Sequence, residues 1–445
     1  MPDAGTIETT GWAAEPVVGS YFVAAYPPFS QWTEAALVEC RQRLTLPRPP
    51  AEEGRIGLYV HIPFCAERCQ YCYYLSYAGQ PPARVDAYID ALLAELDFYA
   101  GQPALADRRA DFVYFGGGTP SQLSTEQVRR LRHGLADRIP WTSVREVTFE
   151  CAPKTATAPM LEELRAAGVT RVSLGVQQLD DEVLAKNGRI HSVREAERAY
   201  ADIRRTGFAI VNIDLMAGLV GESDESFHRS LDRVIELGPD TVTIYQLEIP
   251  LNTPLYKAIR DDRLEWHLPS WDVKRSRLQE AFARLERAGY LRRDAYAAAR
   301  DADRHRFLYM TEQYRGADLL GLGASAFSYL NGVHHQNLSS SDAYMRALKG
   351  GTPPLNRAYV LNEQERLVRE FVLQLKTGRI DRAYFRGKFG VDPARPFAEP
   401  LSRFAADGWL EIDDTSISLT PEGFSRVDRL IPSFYLPEHR GVPYS

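Results

Sequence analysis

Three of the chain's five cysteines fall within eight residues, in Cys65-Ala66-Glu67-Arg68-Cys69-Gln70-Tyr71-Cys72, directly after the strand-like run Ile56–Ile62. Thiolates spaced C-x3-C-x2-C can wrap one face of a cubane iron–sulfur cluster, and three ligands leave the fourth iron free for chemistry. A structural zinc site needs four ligands, usually in paired C-x2-C units, whereas Cys40 and Cys151 stand singly and far off. Disulfides suit small secreted chains; this one has 445 residues, an odd cysteine count and no basic-then-apolar leader after Met1-Pro2-Asp3. From spacing alone, zinc and buried inert thiols stay open beside the cluster.

Such a loop needs a scaffold to hold it. Short β-branched runs alternate with amphipathic segments from residue 56 to about 250. The spacing predicts strands at Ile56–Ile62, Phe112–Phe115, Glu146–Phe149, Arg171–Gly175, Ile210–Leu215 and Thr241–Gln246. Helices are predicted at Val85–Tyr99, Thr125–Asp137, Ala158–Ala167, Ser192–Thr206 and Glu225–Leu237, with Gly168, Gly207 and Gly238 as C-caps. Serial βα units give an α/β fold with a parallel sheet or barrel.

Polar and glycine residues recur at the C-terminal end of each predicted strand. They are the cysteine loop, Gly116-Gly117-Gly118-Thr119-Pro120, Glu150, Gln177-Gln178, Asp214, and Gln246 with Glu248. In a barrel these ends share one mouth, so residues spread along the chain are expected to converge there. A glycine triplet leaves backbone polar groups open to a ligand, although alone it also fits an ordinary turn. Glu150, Gln177 and Asp214 taken singly also fit helix N-caps or loop polar groups.

The length favours two domains and an extension. Apolar residues make up 44% and charged residues 25% of a chain whose net charge is −6. No basic field for nucleic acid and no membrane span are expected, and a reducing, cytoplasmic location suits free thiols. Residues 1–50 form an extension carrying Tyr21, Phe22, Tyr26, Pro27, Pro28, Phe29 and Trp32, suited to lying across a surface. Residues 51–349 hold the βα units, Gly350–Pro354 is the expected linker, and 355–445 read as a winged-helix-like α+β domain. In that domain Asn362–Lys376, Leu401–Ala406 and Pro421–Leu430 are helical, with strands at Leu410–Ile412 and Ser416–Leu419; a packing role outranks DNA binding in this acidic background.

Tyr59-Val60-His61-Ile62-Pro63-Phe64-Cys65 with its C-x3-C-x2-C loop, followed by Gly116–Pro120, resembles the radical SAM superfamily, in its oxygen-independent coproporphyrinogen III oxidase-like (HemN-like) branch. Arg171–Gln177, Gly188-Arg189-Ile190-His191, Asn212–Leu219, Tyr245–Glu248 and Gly321–Ala326 are similar to that branch as well. The resemblance implies a partial (β/α)6 barrel. It also implies a [4Fe–4S] cluster on Cys65, Cys69 and Cys72, with S-adenosylmethionine (SAM) on the fourth iron. Gly116, Gly117 and Thr119 would line the SAM amine, Arg189 would neutralise its carboxylate, and Tyr59 would donate to that end. Glu150, Gln177 and Asp214 would hold amine and ribose groups. A small-molecule substrate and an electron donor such as flavodoxin or ferredoxin follow from the same resemblance.

Oxidases of the branch carry a further cysteine where this chain has Tyr73-Tyr74, and Phe307–Tyr314 differs from their second-SAM region. The departure predicts a methylase or cyclopropanase that uses two SAM molecules to transfer a methyl or methylene unit to an sp2 carbon of a natural product, with Glu248 or a nearby tyrosine as base. Coproporphyrinogen oxidation and haem delivery are the alternatives.

Overall fold

In a computed structural model the residues described are 18–19, 22–47, 54–266 and 268–444. Met1-Pro2-Asp3 and Tyr21 lie outside them. Six parallel strands alternate with helices: β1 (Arg55–Ile62), β2 (Arg109–Gly117), β3 (Glu146–Cys151), β4 (Arg171–Gln177), β5 (Ile210–Ala217) and β6 (Thr241–Gln246). They lie side by side in chain order. Every strand predicted from sequence is present, lengthened by up to three residues at an end.

The helices between them start where polar caps stand. Ser124 with Gln127, and Ser192 with Glu195, close capping boxes on Thr125–Arg138 and Val193–Thr206. Gly207 and Gly238 end their helices in the left-handed conformation that side-chain-bearing residues avoid. Helices cover the outer face of the strands, so residues such as Leu58, Val60, Val172, Leu174, Val211 and Ile213 are fully buried there.

The sheet continues past the six βα units. Leu319–Leu322 pairs in parallel with β1, and Phe327–Leu330, Val333–Asn337 and Leu355–Val360 extend that side antiparallel. Ala297–Ala299 and Leu291–Arg292 close the other side beyond β6. The expected linker at 350–354 is therefore a turn inside the sheet domain, because Leu355–Val360 hydrogen-bonds to Val333–Asn337. A second core starts at the helix Glu363–Leu375.

That second core is built on Glu363–Leu375, Arg382–Phe389 and Ala398–Ala406 over a three-stranded antiparallel sheet of Arg379–Asp381, Ser416–Leu419 and Leu410–Ile412. It has the helix and strand order of a winged helix. The helix predicted over Pro421–Leu430 is two short turns, Pro421–Phe424 and Val427–Leu430.

The N-terminal segment touches the sheet domain at two places and the second core between them. Gly19 bridges Ile249 beyond β6, Tyr26 is buried in the second core, and Thr33 bridges Ala358. Leu37–Leu44 forms a helix that the aromatic and proline content did not predict. No helix among the described residues is long and apolar enough to cross a membrane.

Candidate active site

The cysteine loop is fastened at both ends. Phe64–Cys65 pairs with Tyr77–Ala78, and the Tyr77 and Gly79 N–H groups donate to the Pro63 and Cys65 carbonyls at 2.7 and 3.1 Å. Between those points the Gln70 N–H donates to the Asn187 carbonyl and Arg68 donates to the Cys72 carbonyl at 2.9 Å. Cys65, Cys69 and Cys72 all line one cavity of about 910 Å³ at the strand tips.

Each thiol has a distinct neighbour. The Thr119 hydroxyl reaches the Cys65 Sγ at 3.4 Å, and the Arg189 guanidinium reaches the Cys69 Sγ at 3.3 Å. Burial pushes the Cys65 thiol up to about 11, and burial with Cys69 alongside raises Cys72. Binding iron at such thiols therefore releases protons. Among the described residues no three His, Cys, Asp or Glu side chains are gathered tightly enough for one metal ion. The donor set, three thiols at C-x3-C-x2-C spacing on one cavity wall, fits a cluster face.

The glycine triplet makes room for this loop. Gly117 holds φ +114, and a Cβ there would sit 2.5 Å from the His61 ring; one on Gly118 would sit 2.9 Å from the Ile62 carbonyl oxygen. The Gly118 and Thr119 N–H groups donate to the Ile62 and Phe64 carbonyls, both at 2.8 Å, so the triplet is laced to the strand that feeds Cys65. Gly116 stands behind the wall, where a Cβ would meet Tyr114 and Glu150.

Two half-buried carboxylates face the cavity beside Arg189. Glu150 accepts from the Tyr114 hydroxyl and from the Gly117 N–H at 3.2 Å, and burial lifts it to about 7 against those bonds. Asp214 accepts from the Ser173 hydroxyl at 2.9 Å and the Asn212 amide at 2.8 Å, and burial lifts it to about 6. Arg189 donates to the Gly175 carbonyl, its Nε is buried without a partner, and it is ion-paired to no carboxylate among the described residues. A cation left open beside two acids suits a zwitterionic ligand such as an amino acid end.

Gln177 reaches the wall through a bulge in β4, with φ +68 and the register to β5 slipping between Gly175 and Gln177. Such a conformation is rare for a glutamine and marks local strain. Thr119 and Glu248 line the same cavity.

Tyr59 departs from its expected place. The His61 Nε2 lies 3.2 Å from the Leu75 carbonyl, which only accepts, so that nitrogen carries the proton. Nδ1 is then an acceptor, and the Tyr59 hydroxyl donates to it at 3.0 Å. With its proton committed and its ring behind Tyr114 and Tyr309, Tyr59 has no donor for a carboxylate in the cavity.

Sequence reasoning missed the lower layers of this wall. Thr148 and Glu150, Ser173 and Gly175, Asn212 and Asp214, Thr241 and Thr243 sit two apart on successive strands, and all of them line the cavity. That period-2 alternation was the available signal. Also missed were Phe22, Tyr296 and Arg379, which belong to segments remote from the barrel strands.

Comparison with known proteins sets this geometry in a family. Residues 59–234 match the Radical SAM superfamily and residues 361–425 the HemN C-terminal domain. The chain is 31% identical to the oxygen-independent coproporphyrinogen III oxidase of Salmonella typhimurium over 386 residues, 83% of each protein. It belongs to the HemN-like family of the radical SAM superfamily. The structure of the Escherichia coli coproporphyrinogen III oxidase HemN superposes with TM-score 0.78 at 28% identity, over 93% of this chain and 96% of that one. The heme chaperone HemW of Bacillus subtilis is 28% identical over 82% of this chain and 95% of its own length.

These relatives overturn the expectation of a natural-product methylase or cyclopropanase. That expectation rested on Tyr73-Tyr74 in place of a cysteine and on Phe307–Tyr314. A few substrate-side residues weigh less than a match along 386 residues to proteins named for coproporphyrinogen oxidation.

Proposed function

We propose that the chain is an oxygen-independent oxidase of the coproporphyrinogen III type, which converts propionate side chains of a tetrapyrrole to vinyl groups with loss of CO2. The observation that carries this reading is the outer rim of the cavity. Arg293, Arg306, Arg315 and Arg379 line it, and none is ion-paired to a carboxylate among the described residues. A volume of about 910 Å³ is at the upper end for small-molecule sites, with room for a cofactor and a large carboxylated substrate together.

In this reading Cys65, Cys69 and Cys72 hold a [4Fe–4S] cluster. Arg189 takes the SAM carboxylate, Gly117, Thr119 and Glu150 receive its amine, and Asp214 with Gln177 holds the ribose. When bound and reduced by a flavodoxin- or ferredoxin-type donor, the cluster with SAM supplies a carbon-centred radical that takes hydrogen from carbon. The chain's own residues position the reacting groups and keep water out. Removing a hydrogen atom and CO2 from a propionate carboxylate leaves one electron, which a one-electron acceptor would have to take up, and needs no base at carbon, so Glu248 is not required as one.

Haem delivery is the competing reading. Span of sequence match does not separate the two, since the oxidase reaches 83% of this chain and HemW 82%; the oxidase reading is supported by the fold of the Escherichia coli enzyme, matched over 93% of this chain. Anaerobic incubation of reconstituted protein with reductant, SAM, coproporphyrinogen III and a one-electron acceptor tests the proposal. Two CO2 and two 5′-deoxyadenosine per protoporphyrinogen are expected. Tight haem binding with no SAM cleavage and no decarboxylation would replace the oxidase with a carrier.

A further inference from the structure

Most described tyrosines are buried or half-buried, and Tyr88, Tyr99 and Tyr344 are 0% exposed. Tyr73, Tyr74 and Tyr245 break that pattern at 39, 49 and 41% exposed, and all three line the cavity. They follow the last cysteine directly, or end β6 across from it.

The exposed rings are held in order. Tyr73 and Tyr74 stack with centroids 4.5 Å apart and planes 24° from parallel, and their hydroxyls are 3.3 Å apart. The Asn252 amide donates to the Tyr73 carbonyl at 3.3 Å, fixing the backbone beneath the pair. Tyr245 stacks on Tyr296 with centroids 5.9 Å apart and planes 28° from parallel. Tyr296 is itself anchored, since its hydroxyl donates to Asp428, which the buried Lys376 amine holds at 2.8 Å. Two supported aromatic pairs thus present open faces to one cavity, which leaves apolar surface in water unless a ligand covers it.

We propose that Tyr73, Tyr74 and Tyr245 form the stacking wall that receives one aromatic ring of the substrate, such as a single pyrrole of a tetrapyrrole, beside the cluster loop. The inference rests on reading this cavity as the substrate site. Rings grip a π face through dispersion and quadrupole contacts, which select unsaturated over saturated skeletons and tolerate variation in substituents. The carboxylates of such a ligand are left to the rim arginines.

Binding of coproporphyrin III and of haemin to the cluster-loaded protein, followed by fluorescence quenching and by absorbance, tests the wall. Tyr74→Leu and Tyr245→Leu are each expected to weaken both probes about fivefold or more, while Tyr74→Phe and Tyr245→Phe stay within about twofold of wild type. Tyr245 lies outside the cysteine loop, so its variants separate loss of stacking from loss of iron, which is measured for every variant. Wild-type affinity in both leucine variants overturns the proposal, as does a phenylalanine variant as weak as leucine, which would assign the effect to the hydroxyl. Failure of wild type to bind either probe overturns it too. Tyrosine-dependent binding without turnover of coproporphyrinogen III would keep the wall and reject the oxidase; turnover with an unchanged KM in the leucine variants would do the reverse.

Discussion

At the scale of single residues, the site depends on charged groups that are hydrogen-bonded to the wall, with Arg189 ion-paired to no carboxylate among the described residues. Replacing Cys65, Cys69 and Cys72 together by alanine should abolish cluster assembly, read as iron and sulfide content after anaerobic reconstitution; a cluster that still forms would assign it to other ligands. Arg189→Ala should weaken SAM binding by about 1.5–3 kcal/mol, the range for charge-assisted bonds, with iron content held. Calorimetry that gives wild-type SAM affinity would place the carboxylate elsewhere. The raised acids add a pH dependence. Glu150 near 7 and Asp214 near 6 are protonated below those values, and a protonated carboxyl is a poor acceptor for an amine or a ribose hydroxyl. SAM affinity should therefore rise with pH from about 5.5 to 7.5 and level off above, each carboxylate contributing at most about tenfold per pH unit. Glu150→Gln should flatten the upper part of that rise; an unchanged profile would show that Glu150 does not meet the ligand.

At the scale of elements, the fold tolerates little change where the glycine triplet meets the cysteine strand. Gly117→Ala would force a Cβ within 2.5 Å of the His61 ring at a φ of +114, a conformation L side chains rarely adopt. We expect it to destabilise the chain by about 1–3 kcal/mol and to lower iron retention, measured by chemical denaturation and by iron release to a chelator. Full retention of both would mean that the β2 tip can shift freely. This region was legible in the sequence because the strands run in serial βα order and their polar residues cluster at one end. Strand limits at β6 and caps such as Gly207 and Gly238 followed from local signals that the tertiary structure did not override. Leu355–Val360 was misplaced because the glycines and prolines before it signal a turn equally well inside a domain and between domains. The Tyr59 hydroxyl pairs with His61, whose other ring nitrogen meets the Leu75 carbonyl sixteen residues away from Tyr59 in sequence, and no local pattern encodes that. The period-2 polar face of β3 to β6 was present in the sequence, hidden by strands read as β-branched runs.

At the scale of the whole molecule, the cavity is enclosed by three parts of the chain that meet at one buried cation. Lys376, on the second domain, is 0% exposed, donates to the Val23 carbonyl at 2.7 Å and pairs with Asp428 at 2.8 Å. Its ammonium also lies 3.8 Å from the Phe22 ring centroid. Asp428 in turn accepts from the Val23 N–H at 2.9 Å and from the Tyr296 hydroxyl, so the N-terminal segment, the second domain and the hairpin beyond β6 share one network. Phe22, Tyr296 and Asp428 line the cavity, so slackening the network alters its wall. Burial lowers the Lys376 amine and Asp428 works against that shift, so the cation is maintained by its partner. Removing one side of such a pair leaves a desolvated charge behind. Lys376→Met should destabilise the protein by about 3–5 kcal/mol, whereas Lys376→Met with Asp428→Asn should recover part of that loss. Hydrogen exchange at Val23 gives the local readout: faster exchange is expected in the single variant, before any global unfolding, because its N–H donates to Asp428 and its carbonyl accepts from Lys376. Protection equal to wild type would show that packing of Tyr26 in the second core suffices to keep the segment in place, and that the buried cation serves the second domain alone.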